Sequence, residues 1–233
     1  SAGPIQPAAP RAAVVEQIVA KVNNEIVTLG ELERSRKQTE AELSRQKLPA
    51  AQLQAALRQA ETDLLRDRID QVRREYRDSV GMFTTGITVV TAVSGRFGHG
   101  MTANAFASVS LDPLLVLVCV VKDALMHKVL DETGRFAVSV LAGDQEDLAR
   151  YFSDAGRPTG MAQFLPVAWH PGPVTGAPLL DGALAYLECD VEAANNGGDH
   201  TVFLGRVRWV ERANADGEPL LYFGGRYRRL ENP

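Results

Sequence analysis

Two stretches of the chain carry side chains and glycines at a density that could do chemistry. The first is Gly100-Met101-Thr102-Ala103-Asn104-Ala105-Phe106-Ala107-Ser108-Val109-Ser110-Leu111-Asp112-Pro113, small, hydroxylated and amide residues set between apolar segments. Residues this small let backbone amides approach a planar ligand closely, and the hydroxyls and amides can satisfy a pyrimidine edge or a phosphate. By residue type alone, the run also reads as a plain loop ending at Asp-Pro. The second stretch, Asn195-Asn196-Gly197-Gly198-Asp199-His200, reads as a glycine-rich hairpin loop ahead of a strand. His200 is then either a surface residue or a group that orients a ligand and supplies a proton.

Other chemistries lack their residues. No G-x-G-x-x-G follows a strand, and there is no phosphate-binding G-x-x-x-x-G-K-[ST], no G-x-S-x-G elbow and no H-E-x-x-H. His99, His127, His170 and His200 are too widely spread for a local metal motif, and no metal is expected. Cys119 and Cys189 each sit inside an apolar run, where a thiol packs as a small hydrophobe. The net charge of −4 and the lack of a basic run interleaved with aromatics argue against a nucleic-acid partner. No apolar run reaches the roughly 18–20 residues that span a bilayer, so no membrane partner is expected.

Most of the elements that must position these stretches read as β. Ile87–Val93, Leu114–Val121, Phe136–Leu141, Leu184–Val191, Thr201–Val210 and Leu220–Phe223 are strand-like, with a turn at Gly95-Arg96-Phe97-Gly98. Helical patterns lie at Ala124–Asp131 and Gln145–Phe152. Six or so strands without regular strand–helix alternation predict a closed or nearly closed antiparallel barrel.

Before residue 72 the chain has another character. Residues 1–13 read as a flexible leader, Pro/Ala-rich at the start, and with Ser rather than Met in first place a processed or trimmed chain is the expectation. Val14–Val27 is an extended apolar stretch broken by Asn23-Asn24, and Thr28-x-x-Glu31 has capping-box spacing for a helix to about Gln46. From Pro49 a helical stripe (Leu53, Leu57, Ala60, Leu64, Val72, Tyr76, Val80) runs to about Met82, as one long helix or two joined end to end. Residues up to Gln71 balance ten acidic against ten basic side chains, and an amphipathic helical hairpin without chemistry is the expectation.

Five motifs in order resemble the short-chain flavin reductase family. They are MFTTGITVVT from Met82, GMTANAFASVSLDPLLVLVC from Gly100, GRFAVSVL from Gly134 (with Gln145 and Leu148 following), GDHT from Gly198, and PLLYFGGRYR from Pro219. Ser139 stands where the family usually has Asn, and Leu114 where it often has Pro. The resemblance implies a fold that is mainly β with helices, an FMN-binding split β-barrel (Greek-key-like) over about 72–233, preceded by the N-terminal helical segment. It also implies a homodimer with flavin in a groove near the subunit interface. Thr102, Ala103, Asn104 and Ala105 would line the isoalloxazine, and Ser108, Val109 and Ser110 its polar edge or the ribityl chain. Gly86, Ile87 and Thr88 would border the groove, Lys128 would meet the flavin phosphate, and Tyr227 belongs to the closing motif and is counted with the cofactor site. Gly198, Asp199 and His200 would contact the nicotinamide nucleotide, with His200 orienting it.

The implied activity is hydride transfer from NADH or NADPH to FMN or FAD, in the cytoplasm, supplying reduced flavin to a separate flavin-dependent monooxygenase. The flavin carries the hard step, which fits the lack of a side-chain nucleophile. Two other readings stay open: a flavin- or haem-binding split-barrel carrier without turnover, and a chaperone-like interaction protein. The latter arises because Ile18–Glu42 resembles the N-terminal segment of SurA- and parvulin-type periplasmic chaperones, whose core and isomerase domains do not follow here. The join near Gln71 therefore reads as a fusion boundary.

Overall fold

The computed structural model describes residues 18–22, 25–45 and 49–230; the expected leader and the Asn23-Asn24 break lie outside them. The chain divides into two compact units, Ser1–Val80 and Gly81–Pro233. In the first, β1 (Ile18–Val22) pairs antiparallel with β2 (Glu25–Thr28). Helix α1 (Leu29–Ser44) starts at the predicted capping box. The Glu31 amide donates to Thr28 Oγ1 at 3.3 Å, and the Thr28 amide donates to the Glu31 carboxylate at 3.0 Å. Helix α2 (Ala50–Gly81) is one unbroken helix of 32 residues. No Gly or Pro lies between Ala50 and Val80 to interrupt its ladder. Leu57, in the predicted stripe, is buried. No described helix is both long and apolar enough to cross a membrane.

The second unit begins with β3 (Thr85–Gly86), β4 (Thr88–Ser94), β5 (Phe97–Ala103), β6 (Phe106–Leu111) and β7 (Leu114–Val121). Helix α3 (Leu125–Thr133), β8 (Arg135–Val140), α4 (Glu146–Ser153) and a 3-10 turn (Gly160–Phe164) follow. The chain ends with β9 (Trp169–Pro171), β10 (Pro178–Leu180), β11 (Ala185–Gly197), β12 (His200–Arg212), β13 (Leu221–Phe223) and β14 (Arg226–Arg228). Seven strands form one sheet in the order β5-β4-β8-β11-β12-β7-β6, every pair antiparallel. β5 and β6 stand at opposite borders of this sheet, yet only Asn104 and Ala105 connect them. A two-residue connection between its borders forces the sheet to curl round on itself without being closed by pairing. This is the split barrel, built on the expected mainly β composition.

Alternation along the strands explains why both faces of the sheet are covered. In β4, Val90 and Ala92 join the core that α3 covers through Met126, Val129 and Leu130. Val89, one residue before Val90, turns to a second core with Phe152, Phe164 and Leu220. Ser139, the departure from the family's Asn, is buried, and its hydroxyl accepts the Leu180 amide at 3.1 Å.

The plain-loop reading of Gly100–Pro113 is overturned: all but the Asn104-Ala105 corner and the Asp112-Pro113 turn is strand. The glycines here serve packing and not turning. A Cβ on Gly100 would stand 2.7 Å from the Phe152 ring, so the aromatic side chains of α4 and the 3-10 turn lie directly on the bare backbone. The outer border of β5 is closed by side chains. The Gly100 amide donates to Gln163 Oε1 at 3.0 Å, Gln163 Nε2 donates to the Gly98 carbonyl at 3.0 Å, and Arg157 donates to the Gly100 carbonyl. Gln163 is fully buried there, beside His99. Burial, with the Arg157 guanidinium adjacent, pushes the His99 imidazole down to about 4.

Candidate functional site

A cleft of about 670 Å³ opens where the β5–β6 corner meets α4 and the C-terminal hairpin. Its walls are Ile87, Thr102, Asn104, Arg150, Ser153, Tyr222, Gly225, Arg226 and Tyr227. The volume lies within the range of small-molecule sites, roughly 300–1,000 Å³.

Each wall has a local cause. Gly224 and Gly225 have φ of 57° and 75°, the left-handed pair that a tight hairpin with the strands' own twist requires. This turn sets Tyr222 directly across from Tyr227, their rings edge to face at 5.4 Å. The Arg150 guanidinium lies 4.9 Å above the Tyr227 ring and is held by Glu146 one helical turn earlier, at 2.6 and 2.9 Å. That charge-assisted hydrogen bond raises the Arg150 pKa further, so the guanidinium is a permanent cation. Thr102 donates to the Ala149 carbonyl at 2.7 Å, tying β5 to α4.

Several polar groups here are left over. The Asn104 amide and the Arg226 guanidinium have no hydrogen-bond or ion-pair partner among the described residues. Thr85 Oγ1, on the strand paired with Tyr222, is the one buried side-chain polar atom without a partner among the described residues. Thr85 is not part of the cleft lining. With two arginines and one paired carboxylate, the cleft suits an anionic ligand with a hydrogen-bonding edge.

Of the residues expected from the sequence, Ile87, Thr102, Asn104 and Tyr227 line this cleft. Gly86, Thr88, Ala103 and Ala105 build its frame. Gly86 pairs with Leu221, Thr88 donates its hydroxyl to the Ala103 carbonyl at 2.8 Å, and the Ala105 carbonyl accepts the Cys119 amide at 3.0 Å. Ser108, Val109 and Ser110 stand on β6, outside the cleft lining, with a register shift at Val109. Ser110 Oγ accepts the Asp112 amide at 3.2 Å. Lys128 is exposed on α3 and is not part of the lining.

Gly198, Asp199 and His200 form the tip of the β11–β12 hairpin and also stand apart from the cleft lining. Gly197 pairs with His200, leaving a two-residue turn whose first member, Gly198, has φ of 81°. His200 Nδ1 is 2.7 Å from the Asp199 carboxylate, and Nε2 has no hydrogen-bond partner among the described residues. Strand register puts this tip at the same end of the sheet as the corner: the Ala105 carbonyl meets Cys119 on β7, and Cys119 pairs with Val202 on β12. The separation across those two strands is roughly 10 Å.

Arg150, Ser153, Tyr222, Gly225 and Arg226 line the cleft and were not among the expected site residues. For Tyr222 and Arg226 a signal existed, because a Gly-Gly pair between aromatic-rich runs predicts a hairpin that brings its flanks together. Arg150 and Ser153 carried none, since their role depends on where α4 docks.

Residues 80–231 match the flavin reductase like domain family. The chain is 51% identical over 169 residues to the NADH-dependent FAD reductase of Streptomyces globisporus, spanning 71% of this chain and 87% of that one. It is 36% identical over 159 residues to the reductase subunit HsaB of a flavin-dependent monooxygenase from Mycobacterium tuberculosis, covering 68% and 82% of the two chains. Among solved structures it resembles BorF, the flavin reductase component of a bacterial two-component tryptophan halogenase. That match has a TM-score of 0.65 and 45% identity, over 69% of this chain and 99% of the other. The chain belongs to the flavin reductase like domain family. These comparisons give no support to the chaperone resemblance of the first unit.

Proposed function

We propose that the protein is an NADH-dependent flavin reductase that delivers reduced flavin to a separate flavin-dependent monooxygenase. The observation that carries this reading is the cleft at the β5–β6 corner. Its unpaired groups, Asn104 and Arg226, belong to two of the family-like motifs, and its volume and charge fit a phosphorylated flavin. FAD is the preferred acceptor, since the relative at 51% identity is an FAD reductase, and FMN shares the same recognition groups.

The bound flavin would supply the ring that accepts the hydride. The protein's part is placement. Thr102, Ala103, Asn104 and Ala105 form the wall for the ring, with the Asn104 amide satisfying its polar edge. Arg150 and Arg226 take the phosphate, a role that their place in the cleft supports better than the exposed position of Lys128 on α3. The Gly198–His200 tip holds the nicotinamide, with Gly198 allowing close approach and His200 orienting the ring through Nε2. Holding both rings at near-attack distance is the main catalytic contribution available to a site without a nucleophile.

We assign the native state to a homodimer with the flavin groove near its interface. β6 is a border strand with Val109 and Leu111 exposed, Leu111 at 87%, beside exposed Leu114 at the start of β7, and such an edge is ordinarily covered. In that arrangement Ser108, Val109 and Ser110 reach the site from the interface.

The test is oxidation of NADH and NADPH with FAD, FMN and riboflavin in turn. Turnover with NADH and FAD is expected, and its absence with every pair would overturn the reading in favour of a carrier. His200→Ala is expected to raise KM for NADH by about tenfold, the scale of one lost orienting interaction. An unchanged KM would remove the hairpin from the site.

A further inference from the structure

Among the described residues, the end of the β11–β12 hairpin is paired into the sheet on one side only. β11 pairs with β8 from Ala185 to Asp190, so among the described residues the strand from Val191 to Gly197 has no paired strand there beyond one backbone bond, the Val191 amide to the Gly134 carbonyl. On the other side β12 pairs with β7 up to His200 opposite Val121. A two-residue turn beyond that point would ordinarily be free to sway.

Two side chains from the segment that follows β7 hold it. The Lys122 amide donates to the Asp199 carbonyl at 3.0 Å. Its ammonium donates to Asn196 Oδ1 and to the Gly198 carbonyl, both at 2.6 Å. One residue therefore binds three of the four positions from Asn196 to Asp199. Behind the strand, His127 Nε2 lies 2.8 Å from Thr201 Oγ1, while Nδ1 lies 3.1 Å from the Asp131 carboxylate. With Nδ1–H donating to Asp131, Nε2 accepts the Thr201 hydroxyl proton. The His127 ring also meets Phe203 edge-on at 5.2 Å. Thr201 faces inward and is buried, so its neighbour His200 points the opposite way.

The ammonium and imidazole bonds are not needed to pair the sheet, whose ladder runs through backbone groups alone. Immobilising an exposed lysine costs side-chain entropy that sheet formation does not demand. We propose that Lys122 and His127 are positioning residues for hydride transfer: they fix the Gly198–His200 turn in the place where it receives the nicotinamide. This rests on the assignment of that turn to the nicotinamide.

Steady-state kinetics of the full chain, with flavin binding and thermal melting measured alongside, test it. Lys122→Met keeps the stem and removes the donors, and is expected to raise KM for NADH by about tenfold while kcat, flavin Kd and Tm hold. His127→Phe, which keeps a ring against Phe203, shifts KM in the same direction. Asn196→Ala gives part of the Lys122→Met effect, and the double variant adds nothing beyond Lys122→Met. An unchanged KM in Lys122→Met, with His200→Ala still impaired, overturns the proposal while leaving the turn's assignment standing. Parallel losses in KM, flavin Kd and Tm overturn it in favour of a general structural role. A large Lys122→Met effect with none from Asn196→Ala overturns it too, because the ammonium then meets the dinucleotide directly. If His200→Ala itself leaves NADH kinetics untouched, the underlying assignment fails and the proposal falls with it.

Discussion

Arg226 is the most informative single side chain in the cleft, because nothing else in the described protein claims its charge. If it meets the phosphate, Arg226→Ala should weaken FMN and FAD by about tenfold and leave riboflavin nearly unchanged. Fluorescence titration with the three flavins separates the outcomes, and equal weakening of all three would place Arg226 elsewhere. His99 allows a second prediction at this scale. Its folded value near 4 lies below the ordinary 6.5, so on acidification the unfolded chain takes up a proton first. Stability is therefore full above pH 6.5 and falls as the pH drops toward about 4. Melting curves across that range should fall more steeply for the wild type than for His99→Gln. The sequence could present Thr102, Asn104 and His200 as candidates, because small and polar residues cluster around them. It could not present His99, Arg157 and Gln163 as one network, since contacts across 58 to 65 residues leave no local trace.

Helices and apolar strands were legible wherever one pattern governed a segment. The capping box at Thr28 and the unbroken stripe of α2 are local features, and the structure keeps both. β5 was hidden for the opposite reason. Its residues FGHGMTA lack strand character by type, and they are held as a strand by the ladder to β4, the aromatic cover from Phe152 and Phe164 and the Gln163 bonds. Glycines that look like turn signals are here the only residues small enough to fit beneath a ring. Gly100→Ala should thus destabilise the fold by about 1–3 kcal/mol through overpacking against Phe152, read from denaturant unfolding. A loss smaller than about 0.5 kcal/mol would mean that the ring moves aside at no cost.

At the scale of the whole molecule, the family match begins at residue 80 and the second unit at Gly81. The solved relative BorF is covered over 99% of its length by 69% of this chain, so in that relative a chain of this extent folds as a protein in its own right. A chain shortened to begin near residue 78 is expected to fold, dimerise and retain NADH-dependent flavin reduction within about twofold, a difference under 0.5 kcal/mol. Size-exclusion chromatography with light scattering and an NADH oxidation assay check both statements. Loss of activity on removing the first unit would give that unit a role in the reaction that no residue in it suggests.

The two borders of the curled sheet are guarded unequally. Along β5, the buried Gln163 amide acts as a counterfeit strand, bonding Gly98 and Gly100 as a neighbouring backbone would. Along β6, no side chain bonds the outer backbone of the strand among the described residues. Among the described residues, β6 is thus the border of this sheet left as a template for another chain, and pairing through that border alone would favour a closed pair over open-ended stacks. Gln163→Leu would unmask the second border. Its expected phenotype is concentration-dependent aggregation, visible as turbidity on mild heating, and a variant that stayed as soluble as the wild type would show the disguise to be unnecessary.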